Sequence, residues 1–199
     1  MKVIFLDHDG VICLYNQWGG RVKKRHKYNK YKKNHGVFNI REYPVEVRFD
    51  NFDGKAIAIL NDIIKVTDCE IVVSSDWRLN ATLEEMGEYY EMKGIIKKPI
   101  AYTSIHKLSG STFHLEEERA WEIKKYLDEH PEVSNWVAID DLNLAYYSTY
   151  NKEVDIRPWG LKNFVLTNAD VGLKEKGVKD YVINYLNNKN FIINTIIYE

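Results

Sequence analysis

Four short apolar runs punctuate the chain, and each ends in polar residues. Positions 3–6 and 136–139 are continuously apolar, and 70–73 and 163–166 are so after Glu70 and Asn163, the pattern of strands covered on both faces rather than alternating. They end, in order, at Asp7 and Asp9, at Ser74-Ser75-Asp76, at Asp140-Asp141 and at Thr167-Asn168-Ala169-Asp170. Between them the period becomes that of a helix. Ala56, Ile59, Leu60, Ile63 and Ile64 repeat at i, i+3, i+4, i+7 and i+8, with Asn51 or Asp53 as the cap. A second helix is predicted over 115–130, with Ala120, Ile123 and Leu127 inward and Pro131 just past its end, and a third over 178–186. This alternation predicts an α/β, Rossmann-like core, a mainly parallel sheet with right-handed crossovers and helices on both faces. Ligands of such sheets lie beyond the carboxyl ends of the strands, where these polar residues fall. The run 191–198 is strand-like and is expected as an edge strand or a dimer contact.

Residues 15–50 break the alternation. They are rich in Lys, Arg, Tyr, Asn and Gly, with Trp18, Tyr28, Tyr31, Phe38 and Tyr43 among the charges. The expectation is an inserted basic cap over the mouth of the site, with the core formed by 1–14 and 51–199. A formal net charge of −1 conceals this segregation: between Arg21 and Arg48, ten Lys or Arg face only Glu42 and Glu46. Cations with interleaved aromatics suit a nucleic-acid strand, and Arg21, Lys23, Lys24, Arg25 and Lys27 are the leading contacts. The bland alternative is a lid that selects a small phosphate ester.

Composition narrows the class. With 45% hydrophobic and 29% charged residues the chain reads as a soluble globular protein of one domain. Cys13 and Cys69 have neither metal-ligand spacing nor a disulfide framework, so both are expected as small buried residues in a reducing compartment. No apolar run approaches a membrane span and the first residues do not resemble a leader, so a cytoplasmic location is expected.

The chemistry begins at the first strand end. Side chains two apart on an extended chain point the same way, so Asp7 and Asp9 converge on one small volume. Two carboxylates so close repel unless a cation or a shared proton lies between them, which points to a metal site for phosphate chemistry. His8 between them faces the other way and is expected to pack. His106, His114 and His130 lack ligand spacing, and the acidic runs 84–91 and 116–118 are expected as solvated helix faces. There is no Gly-x-x-x-x-Gly-Lys-Ser/Thr loop, so a kinase is not supported.

Lined up, these elements resemble a known family. Asp7-His8-Asp9-Gly10-Val11-Ile12 is similar to the first motif of the haloacid dehalogenase-like phosphohydrolases, and Ile71-Val72-Val73-Ser74-Ser75-Asp76-Trp77-Arg78 to the second. The Ser-Ser-x-Trp-Arg string, Arg119-x-x-Glu122-Ile123 and Val137-Ala138-Ile139-Asp140-Asp141 resemble the branch associated with RNA-repair proteins, the polynucleotide phosphatases among them. The resemblance spans 1–14 and about 51–175. It implies Asp7 as nucleophile, Asp9 as general acid and base, and Mg²⁺ on Asp7, the Asp9 carbonyl and Asp141. It implies Ser74, with Ser75 as the alternate, as hydroxyl donor to phosphate, and Arg119, with Lys107 as rival, as the neutralising cation. Many relatives carry a second acid at the position of Ala145; the Asp140-Asp141 pair matches the alternative form, in which Asp140 orients the site. Gly10, Trp77 and Arg78 are implied as supporting residues.

The expectation is therefore a Mg²⁺-dependent phosphomonoesterase working through an aspartyl-phosphate, removing a terminal phosphate, 3′ in the leading case, from RNA or DNA. The alternatives are a nucleotidase or small-molecule phosphatase with the same chemistry, and a catalytically idle nucleic-acid-binding protein.

Overall fold

A computed structural model describes residues 1–15, 20–105, 115–150 and 153–188, with only the backbone course for 20–26 and 149–150. The chain runs through β1 (Lys2–Leu6), α1 (Gly20–His35), α2 (Val45–Arg48), α3 (Gly54–Thr67), β2 (Glu70–Val73), α4 (Leu83–Met92) and β3 (Ala101–Tyr102). It continues through α5 (Leu115–Glu129), β4 (Asn135–Asp140), β5 (Tyr147–Tyr150), β6 (Glu153–Ile156), β7 (Phe164–Leu166) and α6 (Val178–Asn187). Five strands form one parallel sheet in the order β3-β2-β1-β4-β7, an α/β Rossmann-like architecture.

Alternation within the strands sorts the core onto two faces. Ile4, Leu6, Ile71, Val73, Val137 and Ile139 share one buried cluster with residues of α3, α4 and α6. Val3, Phe5, Val72 and Ala138 share the other with Ala120, Ile123 and Tyr126 of α5. Both faces of β1 are thus covered, which accounts for its unbroken apolar sequence. Of the two possible caps for α3, Asp53 does the work: its Oδ1 accepts from the N–H of Lys55 at 2.9 Å and of Ala56 at 3.0 Å.

The segment between β1 and α3 contains a helix that periodicity does not announce. α1 is polar almost all round, so no apolar stripe marks it. Tyr28 and Tyr31 pack on Tyr43, with ring centroids at 5.2 and 4.7 Å, and Lys27 donates to Asn51 Oδ1. Tyr43 is buried, and Val45 and Phe49 already belong to the core. Tyr43 is therefore a packing residue and not part of a base-stacking surface, whereas Phe38 is exposed with the Lys32 ammonium over its ring. Arg48 likewise leaves the cationic surface: it is buried in a two-pronged pair with Glu85, at 2.8 and 2.7 Å. Glu85 also closes the capping box of α4 with Thr82, so this one member of the acidic run 84–91 is structural rather than merely solvated.

Other expectations fall differently. The antiparallel pair β5–β6 and the two-residue β3 carry no strong apolar signal in sequence, the pair because its residues 153–156 are exposed. Cys13 and Cys69 are buried and form no disulfide. His130 is on the surface beside Glu132. Trp18, His106, Lys107, His114 and the run 191–198 lie outside the described residues, as do the side chains of Arg21, Lys23, Lys24 and Arg25. No helix among the described residues is long and apolar enough to cross a membrane.

Candidate active site

Register brings the first, second and fourth motifs together. Leu6 pairs with Val73 and with Ile139, so the next residues, Asp7, Ser74 and Asp140, stand side by side at three neighbouring strand ends. By alternation all three follow the face that carries Phe5, Val72 and Ala138, the face that α5 covers. Arg119, in the first turns of α5, meets them there. Its Nη1 lies 2.8 Å from Asp140 Oδ2 and 3.2 Å from Asp7 Oδ1, and its Nη2 lies 3.4 Å from Asp76 Oδ1. Arg119 thus stands directly against Asp7.

The acids divide by their bonds. Asp140 uses one oxygen for Arg119 and the other for the backbone N–H of Leu142 at 2.8 Å, the bonding of a carboxylate that orients its neighbours. Asp141 is half-buried and offers an oxygen within 4.8 Å of oxygens of Asp7 and Asp140. Gly10 makes that approach feasible, because its φ of +70° suits glycine and a Cβ there would collide with the Asp141 carboxyl. Thr167, at the end of β7, donates its hydroxyl to the Gly10 carbonyl at 3.0 Å and fixes the turn. Asp9 faces another neighbour: its Oδ2 accepts from the Trp77 indole N–H at 3.1 Å. Its carboxylate is outside the three-acid cluster; the expected ligand at Asp9 is its main-chain carbonyl.

Charge is not balanced here. Burial, then Asp140, pushes the Asp7 carboxyl up to about 7 against the pull of Arg119 and of a hydrogen bond from Ser75. Burial, then Asp7, pushes Asp141 up to about 6. One guanidinium does not neutralise this cluster, and the donors are all hard oxygens. The residues therefore fit a small divalent cation, which Asp7 and Asp141 could hold through carboxylate oxygens. His8 is fully buried, its Nε2 2.6 Å from the Tyr90 hydroxyl, and burial followed by Arg119 drives its pKa down to about 3; it is neutral packing, as its position predicts.

Arg78 and Glu122 brace the arrangement from behind. Both are buried and 2.6 Å apart, and Arg78 Nη1 also donates to the Ser74 carbonyl at 2.6 Å. The pair ties α5, one turn after Arg119, to the strand end that carries Ser74. Asp76 and Thr167 are the contributors that sequence reasoning passed over. Both belong to polar strand-end strings, and that position was the available signal.

The geometry is that of an acid-rich cluster with one buried guanidinium at the carboxyl edge of a parallel sheet. The chain matches, over residues 3–178, the family model described as the HAD domain in Swiss Army Knife RNA repair proteins. It belongs to that family, and so to the hydrolases of the phosphatase type within the haloacid dehalogenase-like superfamily. No curated protein and no solved structure matches the chain.

Proposed function

We propose that this protein is a Mg²⁺-dependent phosphomonoesterase that removes a terminal phosphate, 3′ in the leading case, from RNA or DNA. The reading rests above all on the convergence of Asp7, Asp141 and Arg119 beyond adjacent parallel strands. An Asp7 oxygen attacks phosphorus, the ester P–O bond breaks, and the leaving oxygen takes the proton held by Asp9. Asp9, now a carboxylate, takes a proton from water; the water oxygen attacks phosphorus, the bond to Asp7 breaks, and inorganic phosphate leaves with Asp7 restored. The planar Arg119 fork and the Ser74 hydroxyl stabilise the equatorial oxygens of the transferring group. Asp7, Asp141 and the Asp9 carbonyl would hold Mg²⁺, which would supply charge neutralisation between the acids and the phosphate.

Nucleic acid as substrate is supported by the RNA-repair description of the family and by the cations of residues 15–50. The packing of Tyr28 and Tyr31 on a buried Tyr43 takes away part of the stacking surface, which favours a small phosphate ester as the second reading. The test is phosphate release from 3′- and 5′-phosphorylated oligonucleotides, mononucleotides and sugar phosphates, with and without Mg²⁺. The expected result is Mg²⁺-dependent release, fastest from oligonucleotide ends, abolished in Asp7→Asn and slowed roughly 10²-fold or more in Asp9→Asn. Near-normal turnover in Asp7→Asn, or full activity after exhaustive chelation, would overturn the mechanism.

A further inference from the structure

Asp9 is the residue whose orientation matters most to a departing oxygen, and its setting is unlike that of the other acids. Asp7 and Asp140 are held by Arg119, whereas the indole N–H of Trp77 donates to Asp9. Trp77 is itself almost fully buried and has little freedom. Its ring stacks on Phe49 at 4.6 Å with the planes 3° apart and on Phe52 at 5.4 Å with the planes 14° apart. His8 meets the indole edge-on at 4.8 Å. Nothing about ring stacking requires the N–H to meet a carboxylate.

We infer that Trp77 is a positioning residue for proton transfer by Asp9, with Phe49 and Phe52 holding the indole in place. The inference rests on the phosphomonoesterase reading and goes beyond it. The indole N–H can only donate, and the stack leaves it little freedom, so it fixes the direction of the Asp9 carboxyl through Oδ2. Held in that direction, the carboxyl passes its proton to the leaving oxygen and later takes one from water. The stacking partners come from residues 49–52, where the chain re-enters the core after α2. The register of that segment therefore sets the angle of the acid.

The discriminating substitution is Trp77→Phe, which keeps a flat ring for the stack and removes the N–H. Its cost should depend on the leaving group, because only poor leaving groups need a proton. With a ribose or alkyl phosphate, kcat should fall about 10-fold or more, whereas 2,4-dinitrophenyl phosphate, whose phenolate leaves unaided, should lose less than about 3-fold. In an Asp9→Asn background the same substitution should cost little further, since the group it positions is gone. If Trp77→Phe melts well below the wild type, Phe49→Leu tests the same link, keeping the N–H and loosening the stack; it should show a weaker form of the same split. Equal loss on both substrates, or full additivity with Asp9→Asn, would make Trp77 a merely structural residue and overturn the inference. A wild-type protein inert towards every ester would instead overturn the hydrolase reading, and this inference with it.

Discussion

Gly10 carries more of the site than its size suggests. It turns the chain after Asp9 with a positive φ, and it leaves the room that the Asp141 carboxyl occupies. Alanine there meets two penalties: a left-handed backbone that costs roughly 1–2 kcal/mol, and a Cβ that must displace Asp141. A cation bound only to the folded state raises its melting temperature by mass action. Mg²⁺ should therefore raise the melting temperature of the wild type and do so much less, or not at all, in Gly10→Ala. An unchanged Mg²⁺ response in Gly10→Ala would show that Asp141 does not hold the ion.

At the scale of elements, the site is a meeting of β1, β2 and β4 with α5, and the Arg78–Glu122 pair fixes that meeting. Taking two charges out of water is costly, so such a pair is weak evidence for net stability. Breaking it is another matter, because Arg78 stays buried and loses its 2.6 Å counter-charge, keeping the longer contact with Asp76 at 3.4 Å. Glu122→Gln should lower stability by roughly 3–5 kcal/mol in denaturant titration. At temperatures where the variant is folded it should also reduce kcat, since α5 delivers Arg119 one turn earlier. Loss of stability with kcat unchanged would confine the pair to a structural role.

At the scale of the whole molecule, the question is what the cationic segment does. Lys27 anchors α1 to Asn51, and Arg48 is buried against Glu85, so neither is free to track a strand. The test therefore belongs to Lys23, Lys24 and Arg25. Each phosphate they neutralise should contribute to the salt dependence of oligonucleotide affinity through counterion release. Their joint replacement by Gln should flatten the slope of log affinity against log salt by about 2 for a single strand. Hydrolysis of 4-nitrophenyl phosphate should change little. An unaltered slope would pass the substrate to the small-ester reading.

Local pattern in the chain was enough to give the sheet and the order of the polar strand ends along it. Unbroken apolar runs are forced on strands covered from both sides, and a polar residue ends each run because the strand there emerges at the ligand-binding edge. Asp7, Ser74 and Asp140-Asp141 were legible for that reason, as was α3, whose apolar stripe has the helical period. Tertiary structure decided what periodicity does not encode. α1 has no apolar stripe, and β5–β6 has exposed residues, so neither leaves a hydrophobic signature. Whether Tyr43 and Arg48 are surface or interior depends on Tyr28, Tyr31 and Glu85, which approach only when the chain folds back. The choice of Arg119 as the cation at Asp7, and of Trp77 as the donor to Asp9, rests on contacts across 112 and 68 positions of chain. Such contacts arise from the crossovers between parallel strands, which bring together residues that no local pattern links.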